Sequence, residues 1–307
     1  MTADVMAQRK GRRDRWAWYF YDFGNSAYAA VVLLAVYSAY FKGQVVGGAE
    51  GSRLWGISVG IAMLVVALVS PILGAIADFS GAKKRFLFVF TVMACCFTGL
   101  LFFVEQGDIF KGMLFFILAE IGYRAAQVFY NSLLPEITTP EDMGRVSGTG
   151  WAIGSAGGIV CLFIILPLIL LAPRHLGLAK DLVVRLSFLI TASFFLLSSL
   201  PIFIGLRERS KPQPFPQGQN YLAIGFRRLI ATIKTAKHFR EFIKFVVAFL
   251  IYNDGVIMAL NFASIIGEVL FGMSETALII FVIIVQLTNV VGAYVFGHLV
   301  DRLGGKN

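Results

Sequence analysis

Long apolar runs separated by short polar breaks set the pattern of this chain. A helix needs roughly 20 largely apolar residues to cross the hydrocarbon of a bilayer. Runs of that kind occur near residues 16–41, 54–77, 86–104, 110–132, 147–172, 184–206, 241–263 and 275–300. They are too long and too continuous for the alternating segments of an outer-membrane barrel, so all read as helices. The pattern predicts an all-α, multi-pass membrane protein.

The polar breaks predict the orientation. The N-terminal MTADVMAQRKGRRDRW is rich in Lys and Arg and leads straight into the first run without a small-residue cleavage site, so it reads as an orientation signal rather than a leader. With the N-terminus cytoplasmic, most of the 27 Lys and Arg fall on the cytoplasmic side, as the positive-inside rule requires. The loop PEITTPEDMGR is mainly acidic and goes against the trend, but acids count little in that rule. The expected location is the cell membrane, which is the inner membrane in a Gram-negative cell.

Composition agrees, since 58% hydrophobic and 15% charged residues lie outside the range of soluble domains. The net charge of +9 is accounted for by this topology and by anionic lipid at the cytoplasmic face. No basic face with interleaved stacking platforms supports a nucleic-acid partner. Cys95, Cys96 and Cys161 sit inside apolar runs with neither a disulfide framework nor metal-ligand spacing, so no metal or cofactor is expected.

Residues 207–240 interrupt the pattern and divide the chain into an N-terminal bundle (1–206), a cytoplasmic linker (207–240) and the start of a second bundle (241–307). The linker opens with RERSKPQPFPQGQN, whose prolines and polar residues resist helix. It continues with Leu222, Phe226, Leu229, Ile233 and Ala236 at alternating spacings of four and three, while Arg227, Arg228, Lys234, Lys237 and Arg240 lie mostly off that stripe. This is a basic amphipathic helix, either a solvated connector or an interfacial anchor.

The two parts repeat each other. GAIADFSGAKK and GHLVDRLGGK share Gly, Asp, Gly and Lys at the same offsets, Gly74, Asp78, Gly81 and Lys83 matching Gly297, Asp301, Gly304 and Lys306. Tyr21-Asp22-Phe23-Gly24 likewise corresponds to Tyr252-Asn253-Asp254-Gly255, in the first helix of each part. Internal repeats of this kind are common in secondary transporters. A second part built like the first would hold six helices, so about four are expected beyond Asn307 and the chain reads as C-terminally truncated.

The loop motif, with Lys84 completing its basic pair, resembles the signature of the major facilitator superfamily. It departs at Phe79, where that signature has a basic residue, and carries Ala82 before the lysines; the second copy keeps Arg302. Within the superfamily, WAWYFYDFGNSAYAAVV resembles the opening helix of the vacuole-effluxer family, as do YRAAQVFYNSLLPEI and GRVSGTGWAIGSAGGI its fourth and fifth helices. The resemblance implies the major facilitator fold, with about eight of an expected twelve transmembrane helices present. It implies gating by the two loop motifs, and a small polar solute, amino acids above all, as cargo.

Several residues inside the runs could carry that chemistry. Asp22, beside Asn25, is an ionisable group within a spanning helix, where such groups are costly and face a partner or a watery cavity. It can exchange a proton as access alternates, hold the amine of a zwitterion, or hydrogen-bond a neighbouring helix. Asn253 and Asp254 are its counterparts in the second part. Glu120 and Arg124 are four apart on one helical face, which Gln127 extends. They form an internal ion pair, or Arg124 binds a solute carboxylate with Glu120 as its counter-ion in the empty site. Gly150, Gly154 and Gly158 open the fifth run as a close-packing face. Asp78 with Lys83, Lys84 and Arg85 forms a charge cluster suited to holding one conformation closed.

The reading that follows is a secondary transporter working by alternating access, with proton coupling open, and not an enzyme. Alternatives are a non-transporting membrane sensor of the same fold and a lipid-modifying membrane enzyme. The latter would need a nucleophile, base or metal cluster, whereas the three histidines are far apart.

Overall fold

Inside lipid, the apolar runs can satisfy their backbone polar groups by coiling into helices. The computed structural model describes residues 3–79, 81–139, 142–209 and 239–303, with 224, 226, 227, 230, 231, 234 and 235 of the linker. Helix α1 (Ala3–Tyr28) continues through a π-helical stretch (Ala29–Ala35), a short α2 (Tyr37–Tyr40) and a second π-helical stretch (Phe41–Val46). Then come α3 (Gly48–Phe79), α4 (Lys83–Leu100), α5 (Ile109–Ile137), α6 (Met143–His175), α7 (Lys180–Gly205), α8 (Arg240–Phe271) and α9 (Glu275–Leu303).

Among the described residues there is no strand, and 6 helices, from the first span to α7, are long and apolar enough to cross a membrane. Helices α8 and α9 stand where the seventh and eighth runs are predicted. The all-α membrane architecture expected from hydropathy is the one observed. The first span is longer than expected, Gly11–Val46 rather than ending near residue 41. It runs on because the turn into α3 needs only Gly47 and Gly48, whose φ values of 85° and 60° suit glycine alone.

Helix α1 packs between α6 and α7, α4 between α5 and α7, and α3 against α5, while α9 lies on α6. Small residues permit these approaches. A Cβ at Gly150 would overlap the Trp18 ring, and one at Gly154 would overlap the Asp22 carboxylate. The third contact comes from Gly157, which the four-residue spacing passes over: a Cβ there would overlap the backbone of Phe23. On the opposite side of α1, a Cβ at Gly24 would lie 2.7 Å from the Ser198 Cβ and 2.9 Å from the Phe195 carbonyl of α7. The segment Asp22–Gly24 is thus held tightly from two sides.

In the linker, Ile224 is buried against Ala75 and Phe79 at the end of α3, and Phe226 is exposed. Leu222, Leu229, Ile233 and Ala236 lie outside the described residues.

Candidate functional site

Two layers of stacked tyrosines join α1 to α5. Tyr21 stacks on Tyr130 with ring centroids 5.0 Å apart, and Tyr28 on Tyr123 at 4.6 Å. Both pairs are seven residues apart on each helix, so two antiparallel helices meet in register every second turn. Trp18 extends the first layer, stacked on Tyr130 at 4.3 Å and donating its indole N–H to the Tyr130 carbonyl at 3.1 Å. The Tyr21 hydroxyl is bonded to Thr91 of α4 at 2.8 Å.

This register brings the two predicted polar groups together. Asp22 sits partly buried on α1 between Gly154 and the Asn25 amide, with Tyr123 and Tyr130 within electrostatic reach. Asn25 is buried, with its Oδ1 unpartnered. On α5, Arg124 donates from Nε to Glu120 Oε1 at 2.8 Å. The Glu120 side chain is 0% exposed and that of Arg124 32%. The guanidinium lies 5.1 Å from the Tyr123 ring centroid, a cation–π contact. The buried Tyr28 hydroxyl faces the Glu120 carboxyl across the α1–α5 seam. Gln127 lies beside Tyr123. Tyr123 therefore links Asp22 to the Glu120–Arg124 pair, of which Arg124 is the partly exposed member.

The predicted counterparts in the second part are not brought into this cluster. Asp254 is exposed and Asn253 half-buried on α8, which touches the first span along Ala29–Ala35.

The first loop motif lies at one end of the bundle, where Gly81 adopts φ 56°, a left-handed turn between α3 and α4 that disfavours a side chain. The expected cluster of Asp78 with the lysines lies outside the described side chains, and among the described residues the lysines meet other partners. Lys83 Nζ pairs with Glu136 at 2.6 Å and donates to the Ser132 carbonyl at 3.2 Å, because the first turn of α4 abuts the last turn of α5. Lys84 Nζ donates to the Leu206 carbonyl at 2.8 Å. The Lys83 and Lys84 backbone N–H groups donate to the Glu208 carboxylate at 2.8 and 3.3 Å, which caps α4.

Arg209 extends the network, donating from its backbone N–H to Glu136 at 2.7 Å and from Nη2 to Asp14 at 3.1 Å. Arg15 and Arg145 share Asp142, at 3.1 and 2.7 Å. The acids Glu136 and Asp142 of the loop that ran against the charge trend are thus partners of basic groups on α1, α4 and α6. The side chains of Asp78, Asp301 and Arg302 lie outside the described set, as do Gly304 and Lys306. A Cβ at Gly74 would meet no described atom within 4 Å, and Gly297 is helical.

Sequence reasoning missed the tyrosines, Glu136, Glu208 and Arg209. A signal for the tyrosines existed: Tyr21 with Tyr28, and Tyr123 with Tyr130, repeat at seven residues in mid-span rather than in an interfacial belt.

Comparison with known proteins matches residues 54–306 to the family model described as vacuole effluxer Atg22 like. The chain is 29% identical over 295 residues to the MFS-type transporter YxiO of Bacillus subtilis, covering 94% of this chain and 68% of that protein. It is 21% identical over 327 residues to autophagy-related protein 22 of Yarrowia lipolytica, covering 82% of this chain and 54% of the relative. Autophagy-related protein 22-1 of Neosartorya fischeri is 28% identical over 164 residues, covering 50% of this chain and 26% of the relative.

Proposed function

Because the chain belongs to the vacuole effluxer Atg22-like family of membrane transporters, we propose that it moves a small polar solute by alternating access, with an amino acid as cargo. The observation that carries this reading is Arg124, on a spanning helix, bonded to Glu120 through Nε while its side chain stays about a third exposed. A guanidinium matches a carboxylate bidentately, so a solute carboxylate would compete with Glu120 for it. Asp22, one tyrosine layer away, would hold the solute ammonium or exchange a proton as access alternates.

The charge network around Lys83, Lys84, Glu136 and Glu208 would stiffen the cytoplasmic end of the first bundle, so that the domains at 1–206 and 241–307 move as bodies about the 207–240 linker. Its basic residues would rest on anionic lipid, with the N-terminus cytoplasmic and the protein in the cell membrane. The two loop motifs, including Gly74, Asp78, Gly81, Gly297, Asp301, Arg302, Gly304 and Lys306, would gate the cytoplasmic side.

Counterflow into liposomes carrying the protein, with a panel of labelled amino acids, tests the reading. Arg124→Lys is expected to raise the half-saturation concentration about tenfold or more, since a charge-assisted hydrogen bond is worth roughly 1.5–3 kcal/mol. Asp22→Asn is expected to abolish the response of flux to a pH gradient. No counterflow of any amino acid would remove the cargo assignment, and an unchanged half-saturation in Arg124→Lys would leave the Glu120–Arg124 pair a structural one.

A further inference from the structure

The end of the bundle away from the Lys83–Glu136 network holds a cavity of about 330 Å³ where α6 and α7 meet α9. Its polar wall is Arg174 at the end of α6, Lys180 at the start of α7, and Ser274 and Thr276 at the start of α9. Its apolar wall, Ile169, Leu170, Pro173 and Ile279, continues along the same helices toward mid-membrane. We propose that this cavity binds the phosphodiester of an anionic phospholipid, whose headgroup bridges the first bundle and α9.

Arg174 carries the assignment. Of the arginines at this end, Arg53 is paired with Glu50 and Arg185 with Glu105 and Asp181, whereas Arg174 meets no acid among the described residues. Asp181, the acid beside Lys180, is thus turned to Arg185. Glu275 opens α9 as one acid against the two cations, so the local sequence keeps a positive balance. A guanidinium grips a phosphate bidentately, and an ammonium adds a point charge. Ser274 Oγ accepts the Ala277 N–H at 3.3 Å and keeps its own proton to donate, and Thr276 brings a second hydroxyl to the wall.

The order of chemistry along the helices selects a lipid over a free anion. Cations at helix ends sit at headgroup depth, with their stems in apolar surroundings and their charges in water. Below them the apolar wall borders a surface on which Leu171 and Ile280 are exposed, a track for an acyl chain. A soluble phosphate would gain nothing from that wall. The headgroup would brace the seam at which Ile279, Val282 and Ile283 of α9 join the core of the first bundle.

Native mass spectrometry of the full chain tests the proposal, with release from nanodiscs of phosphatidylcholine alone or mixed with phosphatidylglycerol. Wild type is expected to retain phosphatidylglycerol in preference to phosphatidylcholine. Arg174→Gln is expected to weaken that retention about tenfold, the weight of one charge-assisted hydrogen bond. Lys111→Gln removes a cation that is paired with Asp108 outside the cavity, and should leave retention unchanged. Equal retention by wild type and Arg174→Gln overturns the proposal, as does an equal loss in both variants, which would mark general charge attraction. Displacement of the lipid by inorganic phosphate would identify a free-anion site and overturn the lipid assignment. Should Arg174→Gln not fold, wild type photolabelled with a diazirine-bearing phosphatidylglycerol gives a second readout. Label is expected on the α6 and α9 peptides around the cavity, and its absence from both overturns the proposal.

Discussion

At the scale of single residues, Gly154 and Gly157 decide whether Asp22 can stand where it does. A methyl at either position collides with the Asp22 carboxylate or with the Phe23 backbone, and the latter cannot turn aside. Gly157→Ala is therefore expected to destabilise by about 1–3 kcal/mol, the usual cost of overpacking. Gly148→Ala on the same helix, where a Cβ meets nothing within 4 Å, should instead stabilise by roughly 0.4–1 kcal/mol, the usual gain of Ala over Gly in a helix. Thermal loss of the monodisperse peak in size-exclusion chromatography reads both. Equal losses would mean that the α1–α6 approach is looser than the geometry demands. The Glu120–Arg124 pair belongs to this scale too and was legible in the sequence, since residues four apart on a helix must be neighbours.

Among elements, the decisive contacts tie helix ends together. Lys83 and Glu136 are nearly buried, with side chains 12% and 10% exposed, so their bond is not the weak, screened pair of an open surface. Lys83→Ala is expected to cost about 1–3 kcal/mol, the range for a hydrogen bond to a charged group. In a double-mutant cycle with Glu136→Gln the two losses should fail to add. Additive losses would show the pair to be independent. None of this was legible from the motif. Lys83 and Glu136 come from different helices, and a loop signature records which charges are present, not which remote partner each one meets. The same holds for the tyrosine layers, which depend on the register of α1 against α5.

For the whole molecule, orientation is the property to establish. The charge pattern expects the N-terminus and the α5–α6 loop on the cytoplasmic side, with the α4–α5 loop outside. Gln106 and Thr139 are exposed in those two loops. In intact cells, a membrane-impermeant maleimide is expected to label Gln106→Cys and to spare Thr139→Cys, while the native Cys95, Cys96 and Cys161, all on spanning helices, stay silent. The reverse pattern would invert the topology and, with it, the side on which the Lys83–Glu136 network acts.

The sequence by itself determined the class of the molecule and the place of its spanning helices, because the bilayer converts thickness into a required length of apolar chain. It also determined the pair at Glu120 and Arg124, because helical periodicity fixes neighbours along one axis. Only the tertiary structure decided which face of α1 meets Gly157, that Tyr21 and Tyr28 fall on Tyr130 and Tyr123, and that Glu120 is sealed while Arg124 stays open. Periodicity reports the direction in which a side chain leaves its own helix. It carries no information about which helix stands there, or how far that helix has slid along its axis.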